Sequence, residues 1–531
     1  MRLGKLALIS SSLLITLSTS IPNVAQAAQN TPTSGAPPAP ASIDVPDIQT
    51  LHVTAREVVV DVMVTDAQGN SVNGLQQSDF SIEENGHPQT IRSFREYTPA
   101  TQPPEPPFVR LPPGVYTNSH STPATGPVDI FLLDAMNGGI SVFQAKRQVL
   151  QYLRTMPGGT RVAIFWLAET GLHTLQPFTS DRAALIQAVS TDRVDVGAIG
   201  NAFTRQMTTM KAFNQLAAFV SGIKGRKNLF WFTPGMPINL LRDGGYGWGN
   251  IDMTMVHHLM DTYELLTAAQ VAVYPVDPRG IVGLGRTQLK DEAVAEQTGG
   301  EAIYNTNDLT TAVAKAIDKG SQFYSVSYIP PNQKDDSHYH TIKVELDRPG
   351  LTLVYRKGYN AERLPTVDNP EPGPALMKAS MEGHAPAATQ LLFDASVQPA
   401  TGLLSSSQSS LPKPKMPPKS APRTIPYDIL FGLPASQIAF AKDESGKLHG
   451  ALEFDAVAYD ITGTRVALLT QTVNMPLSAG QYNAFAAAPF HFTQQIDLPL
   501  GQLSLHVGIY DTISHKVGTL EIPLTVRENA R

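Results

Sequence analysis

Val128-Asp-Ile-Phe-Leu-Leu-Asp134 is the stretch on which the fold turns. It is nearly all apolar, lacks the alternation of a half-exposed strand, and stops on an acid, so it reads as a strand buried on both faces. The same texture returns at 162–167, 228–232 and 271–276. Between these runs apolar residues recur at three- and four-residue spacing. They predict helices over 143–153, from Asp181, over 204–223 and 253–269, and near 287–297 and 307–318, the last two around a short strand at 302–304. Buried strands alternating with amphipathic helices predict a Rossmann-like α/β unit over 128–321, a mostly parallel sheet with helices on both faces. In such a sheet ligands sit beyond the carboxyl ends of the strands where the strand order reverses, so candidate chemistry is sought just after each strand.

On both sides the period changes to two. Val58, Val60, Val62 and Val64 alternate with Val59, Asp61 and Met63, ending at the turn Asp66-Ala-Gln-Gly69. Strands at 80–83 and 90–97 are joined through Asn85-Gly86, which tolerates φ > 0 and suits a tight hairpin. Further strands at 324–329, 340–346 and 352–356 either complete this first unit, as 51–100 with 322–360, or extend the α/β sheet. A last all-β unit over 426–531 shows alternation at Leu452, Phe454, Ala456 and Ala458 and at Leu503, Leu505, Val507 and Ile509. Both β units read as immunoglobulin-like sandwiches, making the chain multidomain. Residues 28–50 read as a disordered linker, 101–127 as a Pro-rich connector, and 361–425 as a low-complexity linker in which 374–393 could form a short helix pair.

The chain has 531 residues, 42% hydrophobic and 16% charged, and 40 Lys+Arg against 46 Asp+Glu leave a net charge of −6. With no basic run, this excludes general electrostatic binding of nucleic acid. The absence of cysteine (Cys 0) removes disulfides, thiol chemistry, Cys-ligated metals and a lipoprotein anchor. Arg2 and Lys5 precede an apolar run over 6–17, shorter than the ~20 residues of a membrane span, and Ala25-Gln-Ala27 follows. Residues 1–27 therefore read as a signal peptide, and the mature chain as secreted or periplasmic with no transmembrane segment.

A set of segments spread over 51–360 gives the chain a family resemblance. They are Val64-Thr-Asp-Ala-Gln-Gly69, Asp79-Phe-Ser-Ile-Glu-Glu-Asn-Gly86, Phe131-Leu-Leu-Asp-Ala-Met-Asn137, Asn228-Leu-Phe-Trp-Phe-Thr-Pro-Gly235, Tyr274-Pro-Val-Asp-Pro-Arg-Gly280, the run from Glu296 to Leu309, Tyr324 to Tyr328, and Arg348-Pro-Gly350 to Gly358-Tyr359. In this order and spacing they resemble the von Willebrand factor type A (VWA) domain, and more closely the divergent VWA-related (VWFA-related) family of secreted acidobacterial proteins.

The resemblance implies an adhesion or scaffold module. In ordinary members an Asp-x-Ser-x-Ser loop, a Thr from a second loop and an Asp from a third grip Mg²⁺ with hard oxygens and leave one position for a partner's carboxylate. Here Asp134 matches the leading Asp, but the two Ser positions are Met136 and Gly138, and the third loop reads Thr233-Pro234-Gly235 where an Asp is expected. Met sulfur is a poor ligand for Mg²⁺. The resemblance therefore implies a degenerate metal-ion-dependent adhesion site. If it holds Mg²⁺ or another divalent cation at all, it does so through Asp134, Asn137 and a Thr such as Thr208, with Thr204 and Thr209 as alternatives. The competing reading is that Asp134 caps the turn that follows it.

Asp277 ends a strand on the same rim and is either a second rim carboxylate or an ordinary Asp-Pro turn. Tyr246 and Trp248, on the glycines of Asp243-Gly-Gly-Tyr-Gly-Trp-Gly-Asn250, form a candidate contact tip or a plain surface loop. Asp134, Asn137, Asp277, Tyr246 and Trp248 are thus the expected partner-binding set.

No Gly-x-Ser-x-Gly, phosphate loop or His-Glu-x-x-His occurs. Ser445-Gly-Lys-Leu448 lacks the flanking residues of a phosphate loop. His338 and His340, after Asp335 and Asp336, have metal-like spacing on one strand face, whereas the adjacent His257 and His258 diverge by ~100° on a helix. The expectation is a non-enzymatic protein with no cofactor, engaging a protein or surface-polymer partner. The alternatives are an exported hydrolase or carbohydrate-processing enzyme, and a metal-dependent adhesin with rearranged ligands.

Overall fold

The computed structural model describes residues 11–14, 57–98, 111–118, 127–136, 139–191, 202–235, 253–281, 286–331, 338–360, 372–383, 385–400, 423–443 and 446–528. In its α/β unit the strands lie in the order Val271–Val276, Lys227–Phe232, Val128–Asp134, Val162–Ala168, Gly171–Thr179. The first four are parallel, and the last runs antiparallel with an irregular register. That edge strand is one the sequence reading passes over, because it is only half buried and carries Pro177. Ile303 adds a single parallel bridge to Val276, so the expected strand at 302–304 shrinks to that bridge.

Strand residues of alternate parity feed two cores, which is why these strands are apolar throughout. One core gathers Ile130, Leu132, Phe165, Trp231 and Val273 under the helices Ala202–Val220 and Met253–Ala268. The other gathers Phe131, Leu133, Trp166, Phe232 and Tyr274 under Gly139–Thr155, Arg182–Thr191 and Leu309–Gly320. Each fully buried large side chain contributes about 1.5–3 kcal/mol relative to exposure. The chain moves from Val128–Asp134 to one side, then crosses through Ala202–Val220 to the other. The strand order therefore reverses between Val128–Asp134 and Lys227–Phe232.

Elsewhere the pairing is antiparallel except for one short parallel pair, so among the described residues antiparallel pairs dominate. Phe323–Tyr328 pairs with Val58–Thr65 on one side and Ser93–Tyr97 on the other, and Tyr339–Leu346 pairs with Phe80–Glu84. Val58, Val60, Val62 and Val64 enter the core of this first β unit, while Met63 points the other way into the α/β core. In the last unit, sheets built on Leu448–Asp460 and Thr424–Pro434 enclose Phe431, Phe454, Leu505 and Val507.

Two segments read as linkers carry structure. Within 101–127, Val115–Thr117 pairs with Asp394–Pro399, and the buried Asn118 donates to the carbonyls of Ala388 and Leu391. Within 361–425, Pro372–Ser380 is a helix and Asp394–Pro399 a strand of the last unit; the helix pair expected over 374–393 is a single helix. The docking surfaces lie far away in sequence, so local proline content conceals them. Leu376 and Met377 wedge between Ala218 and Tyr510, and Thr389 donates to the carbonyls of Ala218 and Phe219, strapping the α/β unit to the last β unit. Ser11–Leu14, inside the segment read as a signal peptide, pairs in parallel with residues 471–474. No described helix is long and apolar enough to cross a membrane.

Candidate functional site at the strand ends

Asp134 ends its strand at the reversal point, with its side chain 1% exposed. Oδ1 accepts the Met136 amide at 2.9 Å, forming the turn toward helix Gly139–Thr155, and Oδ2 accepts the Thr233 hydroxyl at 3.0 Å. Thr233 follows the neighbouring strand, and its amide donates to Val276 O at 3.0 Å. Three strand ends are thereby sewn together.

Asp277, also buried, accepts from the Arg279 amide at 3.0 Å and from Nε at 2.9 Å through Oδ1, and from Nη2 at 2.6 Å through Oδ2. Nη2 also donates to Pro234 O at 2.8 Å. The guanidinium, held still more firmly protonated by the Asp277 hydrogen bonds, spans from one strand end to the next turn. Gly280 has φ +84°, and a Cβ there would meet Asn307 Oδ1 at 2.7 Å, so only glycine closes this turn.

Asp277 is therefore an ion-paired turn residue, not an open carboxylate. The hydroxyl from Thr233 reaches Asp134 in the place where the resemblance looked to the Ala202–Val220 helix. Thr208 is half-buried in that helix, and the buried Thr209 turns its hydroxyl to Arg205 O at 2.8 Å. Asn137, Tyr246 and Trp248 lie outside the described residues. Among the described residues no group of three His, Asp or Glu could hold a metal ion. Mg²⁺ demands near-octahedral oxygen ligation, and the described rim residues, with Asp134 already bonded twice, Asp277 paired to Arg279 and Met136 in a Ser position, do not fit that ion.

Among its described residues the crest leaves three large apolar side chains open. Phe143 is 71% exposed, Phe203 62% and Ile281 65%, the three most exposed large apolar side chains described in the α/β unit. Phe143 is the fifth residue of the helix after Asp134, Phe203 the second residue of the helix leading to Lys227–Phe232, and Ile281 stands just past Arg279. The sequence reading missed all three, together with Thr233 and Arg279. The available signal was Phe143 standing off the stripe Val142, Ala145, Val149 and Tyr152 that its helix buries.

Two further ionisable clusters are internal. His340 is buried, with Nδ1 3.0 Å from Glu84 Oε1 and its ring stacked on Tyr359, while Tyr328 and Tyr359 donate to Glu84 Oε2 at 2.6 and 3.0 Å. Burial and Glu84 push the Tyr328 hydroxyl far above its usual range. His338 is exposed at the strand start, so the two histidines do not form a joint site. At the opposite end of the α/β sheet, Arg226 donates to Asn228 Oδ1 at 3.1 Å, Tyr274 Oη at 2.9 Å and Gly299 O at 2.5 Å, and Asn228 donates to Asp129 at 3.0 Å. A 320 Å³ cavity lined by Glu292, Glu296, Glu301 and Lys357 has two of its acids engaged, by Tyr304 and Lys319.

No family model and no curated protein matches the chain. Solved structures similar to it include an aerotolerance-related membrane protein from Bacteroides fragilis (17% identity, 36% of this chain and 100% of that one, TM-score 0.26). They also include a mutant PilB minor pilin from Streptococcus sanguinis (10%, 37% and 62%, TM-score 0.27) and a von Willebrand factor type A protein from Catenulispora acidiphila (13%, 58% and 82%, TM-score 0.25). The chain spans less than two thirds of the pilin. Superposition this slight carries no argument, and the α/β assignment rests on the strand order and the two cores.

Proposed function

We propose that the protein is an exported, non-enzymatic interaction module of the secreted VWA-related type. The strand-end crest of its VWA-like unit docks on a protein or surface polymer by apolar contact, with the ancestral metal grip dismantled. The two β units, read as immunoglobulin-like sandwiches, serve as spacers, and residues 1–27 direct export. One observation carries the reading: Asp134 and Asp277 are tied internally by Thr233, Met136 and Arg279, while Phe143, Phe203 and Ile281 stand open on the segments that adjoin this rim. Burying three such side chains contributes about 1.5–3 kcal/mol each, comparable before ordering costs with the ~8 kcal/mol of a micromolar complex.

The test is capture of partners from the native envelope by the intact chain, with and without EDTA, against the Phe143→Ser/Phe203→Ser double variant. Recovery that survives EDTA and fails in the double variant supports the reading. Recovery abolished by EDTA, or equal for both chains, rejects it.

A further inference from the structure

Bases on the outer face of a helix stabilise it when acids stand three or four residues away, and without them the charge is left for something outside the helix. Helix Gly139–Thr155 starts at the crest, after Asp134, and runs back toward the base of the sheet, where Val162–Ala168 begins. Its 17 residues hold Lys146, Arg147 and Arg154 and no acid, in a chain where 46 Asp+Glu outnumber 40 Lys+Arg. Neither Arg147 nor Arg154 has an acid three or four residues away in sequence. The helix dipole favours Arg154 in the last turn, but Arg147 stands at the midpoint, beyond that effect.

The flanking helices leave this charge standing. Arg182–Thr191 contains no acid, and Leu309–Gly320 contains Asp318 alone, beside Lys315 and Lys319. Asp181 and Asp308, which precede these helices, accept amides of their own first turns at 2.8 and 3.2 Å. At 3.6 residues per turn Phe143, Arg147, Leu150 and Arg154 fall within about 60° of arc and span about 16 Å of helix. Phe143, Arg147 and Arg154 are exposed and Leu150 is half-buried. The strip thus joins an aromatic ring at the crest to two guanidinium groups, and aromatic residues and Arg are the types enriched in protein interfaces.

We propose that this strip docks an acidic helix of a protein partner, which sets an apolar side chain on Phe143 and carboxylates on Arg147 and Arg154. The assignment rests on the crest reading under Proposed function, with which it shares Phe143. A second helix laid alongside repeats the spacing of the strip, with its acids four and eleven residues from its apolar contact, and each guanidinium can take a carboxylate through two parallel hydrogen bonds. An anionic polysaccharide would match the charge but brings no apolar side chain to cover Phe143. A membrane would need the apolar face of the helix turned outward, whereas Val142, Ala145, Val149 and Tyr152 are buried in the core.

The test is fluorescence anisotropy of the intact chain with a labelled, alanine-based helical peptide carrying one Leu, and Glu four and eleven residues to either side of it, so that both helix directions are covered. The peptide binds saturably below about 1 mM. Replacing its Glu by Gln, raising the salt from about 50 to about 300 mM, or Arg147→Glu/Arg154→Glu in the protein each weakens binding at least about fivefold. Arg147→Gln/Arg154→Gln weakens it less than the reversal does, with the melting curve unchanged. No saturable binding, equal binding of the Gln peptide, indifference to the charge reversal, or tighter binding of dextran sulfate or phosphatidylglycerol vesicles overturns the proposal. In the envelope capture, partners lost with Phe143→Ser/Phe203→Ser but kept with Arg147→Glu/Arg154→Glu leave crest docking intact and overturn the acidic helix. Partners kept by both variants overturn crest docking itself.

Discussion

The base and the crest of the α/β sheet each bury acids and bases, and they use them differently. At the base, Asp129 and Lys227 are taken out of water with little compensation: burial pushes the Asp129 carboxyl up to about 7 and the Lys227 ammonium down to about 7. These groups lie where the first β unit is fastened, through Gln270 to Asp61 at 3.1 Å, Tyr274 Oη to Met63 Sδ at 3.4 Å, and Arg356 to Val59 O at 2.7 Å. At the crest Asp134 and Asp277 have close donors, and the strand ends are tied to one another instead of to a neighbouring unit. Polar groups thus close the sheet at both ends, and among the described residues of this unit the large exposed apolar side chains lie toward the crest.

The comparison breaks most visibly at Arg226. Arg226→Met strands Tyr274 Oη, Gly299 O and Asn228, and its expected cost is about 3–5 kcal/mol in urea unfolding of the α/β unit. A cost under about 1 kcal/mol would show that the base network is incidental.

The next effect is in pH. The folded pKa of Asp129 stands above its ordinary 3.8, so its favourable contribution is complete below about pH 4 and is lost as pH rises through about 7. Lys227 lies below its ordinary 10.5, so its contribution is present above that value and is lost as pH falls toward about 7. Melting temperature should therefore fall from pH 4 to 7 and recover toward pH 10. Asp129→Asn flattens the first limb and Lys227→Met the second; an unchanged profile in both variants contradicts the assignment.

At the crest, Asp134→Ala removes the acceptor of the Met136 amide and leaves the Thr233 hydroxyl only the Gly235 carbonyl at 3.2 Å, for an expected loss of about 1–3 kcal/mol. Because the role is structural, calorimetric melting of wild type and variant should shift equally little with millimolar Mg²⁺. The smallest effect on stability belongs to Phe143→Ser and Phe203→Ser, within about 0.5 kcal/mol of wild type because both are exposed. They sharpen the contrast if partner recovery falls while the melting curve stays put.

The α/β strands were legible because burial on both faces leaves an uninterrupted apolar run, as in Phe131-Leu-Leu and Leu229-Phe-Trp-Phe. The Gly171–Thr179 edge was not, since a half-buried strand with Pro177 imitates a loop. Nor were Val115–Thr117, whose partner strand lies nearly 280 residues away, and Asp394–Pro399, which joins it to Thr424–Pro434. At the site, the position of Asp134 followed from its place after the strand. Its partner Thr233 stood in the very motif read as a loss, and hydrogen bonding between adjacent strand ends leaves no spacing signature. Arg279, two residues from Asp277, could have been paired with it on proximity alone.

Manganese titration of the intact chain, followed by electron paramagnetic resonance and repeated on Asp134→Ala, reaches the crest most directly. With its oxygens committed to Thr233 and Met136, wild type should retain as much free Mn²⁺ signal as the variant at every concentration. A saturable, one-to-one loss of signal in wild type that vanishes in Asp134→Ala would mean that the crest still grips a cation.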